Sequence, residues 1–288
     1  MMPKILNRLG RLPAHHAVDG EAIEYGRIYI APPDHHLLVE SERVRVVRGP
    51  KENRARPAAD PLFRSAAWAY GTRVVGVVLT GALDDGTAGL AAIKQRGGVA
   101  VAQDPEEALY PGMPGSAVEN VTVDYCLPLA GIAPLLTRLA STPAPDESIY
   151  PIPEILSIET RMARREQSKM EDVEKLGSPS AFTCPECRGT LWELKDGDLL
   201  RFRCHVGHAF SAESLMAEQS EELESALWAA LRSLEENAAL ARRLAARARE
   251  HNHQISLIRY EDNASQIEQH ADVIRQVLNN NEKISGGE

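Results

Sequence analysis

At 288 residues the chain is long enough for one large domain and a small one. Its hydrophobic fraction of 43% and charged fraction of 25% are those of an ordinary globular protein, and a net charge of −9 speaks against a general nucleic-acid binder. No apolar run approaches the roughly 20 residues that cross a bilayer, so no membrane insertion is expected. The Met1–Leu6 start lacks the apolar core of a signal peptide. Three of the four cysteines cluster, which favours metal binding in a reducing, cytoplasmic setting over a disulfide framework.

In chain order, Ile5, Leu6 and Leu9 form a short amphipathic piece, followed by a polar segment rich in small residues. Arg27–Ala31 reads as a strand ended by the turn Pro32–His36. Leu37–Val39 and Val44–Val47 flank a polar Glu40–Arg43 turn, which predicts a β-hairpin. Gly49–Arg56 reads as charged loop. Asp60 stands as an N-cap with Pro61 at the first helical position, and Leu62–Tyr70 is the helix, closed by Gly71.

Val74–Leu79 is β-branched and almost wholly apolar, the pattern of a strand buried on both faces in a parallel sheet. The loop Thr80–Gly86 (TGALDDG) and a helix at Thr87–Gln95 follow. Asp84 and Asp85 thus fall beyond the carboxyl end of a strand, where open α/β sheets place their chemistry. A carboxylate there can orient a histidine, hold a metal or cap the next helix. Further on, Val99–Ala102 is a strand, Asp104–Glu107 a helical turn, Pro111–Ser116 a loop, Val121–Leu127 a strand with Cys126 packed in it, and Ile132–Leu139 a helix.

This alternation predicts an α/β fold, a doubly wound, largely parallel sheet, over residues 1–140. Residues 141–180, with four prolines in their first half, read as a linker carrying a short helix at Glu154–Glu166. Residues 181–210 read as a small zinc ribbon, and 211–280 as a long α-helical, coiled-coil-like extension. Ser211 would cap that extension. Leu223, Leu227, Leu231, Leu234, Ala238, Ala241 and Leu244 step by three and four until a polar break at His251–Gln254, a stripe suited to self-association or docking. The basic end at Arg242, Arg243, Arg247 and Arg249 complements the helix dipole.

The ribbon carries the most specific chemical signal. Cys184-Pro-Glu-Cys187 followed by Cys204-His-Val-Gly-His208 supplies three thiolates and an imidazole, the closed ligand set of a structural zinc. His205 is the alternative fourth ligand. Leu191–Leu194 and Leu199–Arg203, joined by a Lys195–Asp198 turn, predict the hairpin that unites the ligand pairs.

The α/β part resembles the catalytic domain of the CheB-type chemotaxis protein-glutamate methylesterases. The resemblance is carried by RIYIAPPDHHLLVE (27–40), RPAADPLFRSAAWAYG (56–71), VVGVVLTGALDDGTAGLAAIKQRGG (74–98), VAVAQDPEEALYPGMPGSA (99–117) and VDYCLPLAGIAPLL (123–136). It implies a hydrolase that needs no catalytic cofactor. Such an enzyme cleaves glutamate methyl esters on the cytoplasmic helices of methylated chemoreceptors, releases methanol and deamidates glutamine. Asp85 falls on the aspartate of the family's Ser-His-Asp triad, where it would fix the histidine tautomer. Ala82 and Leu83 fall where a backbone N–H would face the oxyanion.

The family's Gly-Ala-Ser-x-Gly-Gly and His-Met-Pro turns, which carry the serine and histidine, do not occur in this sequence. Ser65 and Ser116 read as a mid-helix residue and a helix cap, and His35 and His36 as the nearest substitute bases. The expectation is an incomplete catalytic domain whose N-terminal part is missing; a non-catalytic, zinc-containing scaffold of a sensory complex is the alternative. Arg56, Asp60 and Arg64 are candidates to line a cleft for an acidic receptor surface.

Overall fold

The structure, a computed structural model, describes residues 1–164, 170–195, 197 and 199–285. The chain divides into two compact units, Met1–Met216 and Ala217–Glu288.

In the first unit, α1 (Met2–Leu9) precedes β1 (Ala14–His16), a strand that its polar sequence conceals. It pairs in parallel with β2 (Ile28–Ile30). β3 (His36–Glu40) and β4 (Arg43–Val47) form the expected hairpin, and α2 (Ala59–Tyr70) follows. Then β5 (Val75–Val78), α3 (Thr87–Gln95), β6 (Val99–Gln103), α4 (Gly112–Asn120), β7 (Tyr125–Leu127) and α5 (Leu129–Ala140) alternate.

The last three of those strands form a parallel sheet with β6 in the centre. On one face Ala67 of α2, Leu90 and Ile93 of α3, and Ala117 of α4 bury Val78, Ala100 and Ala102. On the other, Ile132 and Leu135 of α5 cover Val101. Helices on both faces make it a doubly wound arrangement, which is why the Val74–Leu79 run carries no polar alternation.

Local readings need correction here. Pro111–Ser116 is not simply a loop, because α4 starts at Gly112 and accommodates Pro114 in its first turn, where a missing N–H costs nothing. Asp104–Glu107 is a turn closed by the Asp104 carboxylate on the Glu106 N–H at 3.0 Å. Cys126 is exposed rather than packed. β7 is an outer strand whose Tyr125 and Leu127 face α5, and the period-two alternation turns Cys126 the other way.

The stretch 141–180 holds α6 (Glu154–Ala163), α7 (Met170–Leu176) and the start of β8 (Gly177–Thr183). Far from a bare linker, it buries Leu156, Ile158 and Met162. Residues 165 and 166 of the expected helix, and Asp196 and Asp198 of the expected turn, lie outside the described residues. β8, β9 (Thr190–Leu194), β10 (Arg201–Cys204) and β11 (Ala209–Ser211) form an antiparallel sheet in the order β11-β10-β9-β8.

α8 (Ala212–Glu250) starts at the end of the first unit, and most of it, with α9 (Gln254–Ser285), makes up the second. The apolar stripe folds back on itself: Leu231 packs with Ala271 and Leu278, and Ala245 and Ala248 with Leu257. The polar break is the turn of this antiparallel hairpin, with Asn252 in the left-handed region at φ 58°. Arg242 reaches Glu268 and Arg275 reaches Glu235, each at 2.7 Å, so Arg242 answers a carboxylate on α9 as well as the helix dipole.

Candidate functional site

The aspartate loop leaves the carboxyl end of β5 and is held by the start of α4. Gly81 donates to the Tyr110 carbonyl at 2.9 Å, and Met113 donates back to the Gly81 carbonyl at 2.8 Å. The approach is so close that a Cβ on Gly112 would lie 2.8 Å from the backbone N and O of Leu83.

Asp85 accepts the Ala59 N–H on Oδ2 at 2.6 Å, and the Asp60 N–H and the Asn53 amide on Oδ1 at 3.3 and 3.1 Å. It therefore caps the N-terminus of α2, the position expected for Asp60. Asp60 instead turns inward within the first turn of α2. It accepts the Gly89 N–H of α3 at 2.6 Å and the Asn53 amide at 2.8 Å. A side chain on Gly89 would strike Phe63 at 2.5 Å and close this contact.

Asp84 accepts the Ser211 hydroxyl at 2.7 Å, and does not cap α3. Burial pushes Asp84 up to about 6 despite that hydroxyl. Burial and the neighbouring Asp60 carboxylate push Asp85 up to about 7 against its backbone and Asn53 donors. Burial raises Asp60 as well.

The candidate bases and nucleophiles lie elsewhere. His36 is buried between the Pro50 carbonyl (2.9 Å) and the Ala58 N–H (3.3 Å), and burial lowers its pKa. His35 bonds the Pro33 carbonyl at 3.0 Å. Ser65 bridges the Leu62 carbonyl and the Val39 N–H. Ser116 accepts the Thr87 hydroxyl at 3.0 Å instead of capping a helix. Among the described residues, no histidine hydrogen-bonds Asp85. The expected receptor-facing cluster also dissolves, since Asp60 and Arg64 are buried and Arg56 is tied to the Gly49 carbonyl and Asp34.

Arg64 belongs to a buried ionic cluster that sequence reasoning missed. Its guanidinium pairs with Glu52. Arg203 reaches Glu52 at 3.2 Å and Glu159 at 2.7 Å, and Arg201 grips both oxygens of Glu159 at 2.7 and 3.2 Å. Burial works to raise Glu52, but Arg203 and Arg64 overcome it and hold the carboxyl at about 2. Arg201, Arg64 and Arg203 overcome it at Glu159 in the same way. One signal was available: Glu159 falls in the apolar stripe Ile155, Leu156, Ile158 and Met162 of α6, where a lone acid needs a buried partner.

At the other end of β10, Cys184, Cys187, Cys204 and His208 present one donor atom each, all within 4.8 Å of one another. Cys187 Sγ lies 3.6 Å from Cys204 Sγ, and His208 Nδ1 lies 3.8 and 3.5 Å from the sulfurs of Cys184 and Cys204. Donors about 2.0–2.3 Å from a tetrahedral zinc stand about 3.3–3.8 Å apart, the spacing of these three pairs, so the group is compatible with a structural zinc. His205 is exposed and outside the group. Burial drives the Cys184 thiol up to about 12 and lowers His208, penalties on charge that a bound cation would reverse.

Residues 1–136 match the family model for CheB methylesterase. A putative protein-glutamate methylesterase/protein-glutamine glutaminase of Leptospira interrogans is 43% identical over 137 residues, which are 47% of this chain and 71% of that protein. The chain belongs to the CheB methylesterase family. A relative from Paramagnetospirillum magneticum, named protein-glutamate methylesterase/protein-glutamine glutaminase 1, is 43% identical over 140 residues, but these are only 37% of its length. The Thermotoga maritima CheB methylesterase catalytic domain is 35% identical with a TM-score of 0.46, over 48% of this chain and 75% of that one. Among the described residues no helix is long and apolar enough to cross a membrane.

Proposed function

We propose that this chain serves protein-glutamate methyl-ester hydrolysis on methylated chemoreceptors, releasing methanol, with deamidation of glutamine as the related reaction. Asp85 is the triad aspartate in this reading. The observation that carries it is the placement of Asp85: at the carboxyl end of a parallel strand, on a loop pinned by two backbone N–H groups and an amide, in a member of this family. A carboxylate fixed so firmly would hold an imidazole in one tautomer and stabilise the imidazolium formed during proton transfer. The cytoplasm is the matching compartment.

The residues above supply neither the family's serine turn nor its histidine turn, so the test separates contribution from turnover. Methanol release from methylated receptor fragments is measured with the 288-residue chain and with the same chain joined to a family segment bearing both turns. Release by the joined protein, lowered about 10⁴-fold by Asp85→Asn, is the expected result. No release from either protein removes the esterase reading. Receptor binding without turnover would then favour a scaffold in a sensory complex, a role that the well-formed Cys/His cluster supports.

Cys184, Cys187, Cys204 and His208 would hold a structural zinc. With four protein donors it offers no open position to a substrate and supplies folding energy to the ribbon.

A further inference from the structure

We propose that Asn53 is a positioning residue for Asp85, and that the metal at the Cys184, Cys187, Cys204 and His208 cluster keeps Asn53 in place. The inference rests on the metal and triad readings above and adds a link between them.

The segment Lys51–Asn53 is stitched to the ribbon beside each ligand pair. Lys51 binds Glu186, between Cys184 and Cys187, at 2.7 Å. Glu52 pairs with Arg203, the residue before Cys204. Ala209, the residue after His208, donates to the Lys51 carbonyl at 3.3 Å and accepts the Asn53 N–H at 2.9 Å. A metal that cross-links the two ligand pairs therefore fixes the frame along which Lys51–Asn53 lies.

Asn53 carries that frame to the aspartates. Its Nδ2 donates to Asp85 at 3.1 Å and to Asp60 at 2.8 Å, while its Oδ1 accepts the Ser211 N–H at 3.1 Å and the Ser214 hydroxyl at 3.3 Å. Both donors and both acceptor sites of the amide are thus used. The reverse orientation would set the amide oxygen against two carboxylates, so the network admits one placement. Its backbone lies in the left-handed region at φ 48°, followed by Arg54 at 67°, a conformation that persists where its surroundings impose it. The same β11–α8 corner reaches Asp84 through the Ser211 hydroxyl.

The test uses the full chain, loaded with zinc and then stripped by a chelator, with metal content measured in both states. Hydrogen exchange is followed at the Ala59 and Asp60 amides, which report on Asp85. The Asp85 carboxyl carbon is titrated by NMR, with Asp60 and Asp84 as the neighbouring acids. Stripping should speed exchange at both amides by roughly tenfold, the scale of one lost charge-assisted hydrogen bond. It should also raise the Asp85 midpoint. Asn53→Gly keeps a residue suited to positive φ. In zinc-loaded protein it should reproduce both changes at Asp85 while leaving one equivalent of zinc in place. Retained protection and an unmoved midpoint after stripping overturn the proposal. So does an Asn53→Gly variant indistinguishable from the parent, or a chain that takes up no zinc. None of these readouts uses methanol, so the link and the esterase reading fail separately.

Discussion

Two groups of carboxylates in this molecule are withdrawn from water, and their environments drive them in opposite directions. Glu52 and Glu159 are clamped by Arg64, Arg201 and Arg203 and stay ionised well below the usual carboxylate range. Asp60 and Asp84 are buried and Asp85 half-buried, but they meet amides, a hydroxyl and backbone N–H groups, and all three are pushed up. Burial raises the pKa of every one of these carboxyls, and the partners decide the outcome. Full counter-charge turns one group into a permanent latch between the antiparallel sheet and the α/β layer, whereas partial dipoles leave Asp84 and Asp85 raised to about 6 and about 7.

The largest effect should come from breaking the latch. Arg203→Ala leaves Glu52 and Glu159 short of a guanidinium and should destabilise the fold by about 3–5 kcal/mol in chemical unfolding, the cost of an uncompensated buried charge. A loss below about 1 kcal/mol would show that water reaches the cluster and that the contrast is overdrawn.

The pH response sharpens the comparison next. Fold-favoured protonation of Asp85 makes its stabilising share complete below the ordinary value of 3.8, and this share is lost as pH rises through about 7. Glu52 runs the other way, its share being present above 4.5 and lost as pH falls through about 2. Asp85→Asn should therefore flatten the decline in stability between pH 4 and 8 by roughly 2–4 kcal/mol, at about 1.4 kcal/mol per pKa unit. It should leave the acid limb below pH 4 in place. A variant whose decline matches the parent would place the titrating group elsewhere.

The smallest effect is expected in the helical hairpin, whose ion pairs stand in water. Arg242→Ala removes the contact to Glu268 and should leave the thermal transition where it was, at both low and high salt. A clear salt-dependent shift would mean that these pairs behave as a network.

Much of the architecture could be read from short-range pattern. The apolar run around β5, the β3–β4 hairpin and the two short Cys/His motifs, Cys184–Cys187 and Cys204–His208, are each local patterns, and each stands where the sequence pattern implies. What escaped depends on distance along the chain. Glu52 meets Arg203 across 151 residues, and Asn53 meets Ser211 across 158, so their charged or polar neighbourhoods read as solvated loop. Asp60 looked like a cap because cap chemistry is local, while the actual cap of α2 arrives from Asp85, 26 residues beyond Ala59. Proline-rich 141–180 hid buried helix faces for the same reason: their partners lie in other elements.

The outward turn of Cys126 on β7 has a practical corollary. Of the four cysteines it alone stands outside the Cys/His group, and it faces solvent. With zinc held as proposed above, a thiol-reactive dye should modify one cysteine, and four once the metal is withdrawn, so occupancy of the Cys/His group can be followed by counting labels; four labels before any chelation would speak against a bound metal.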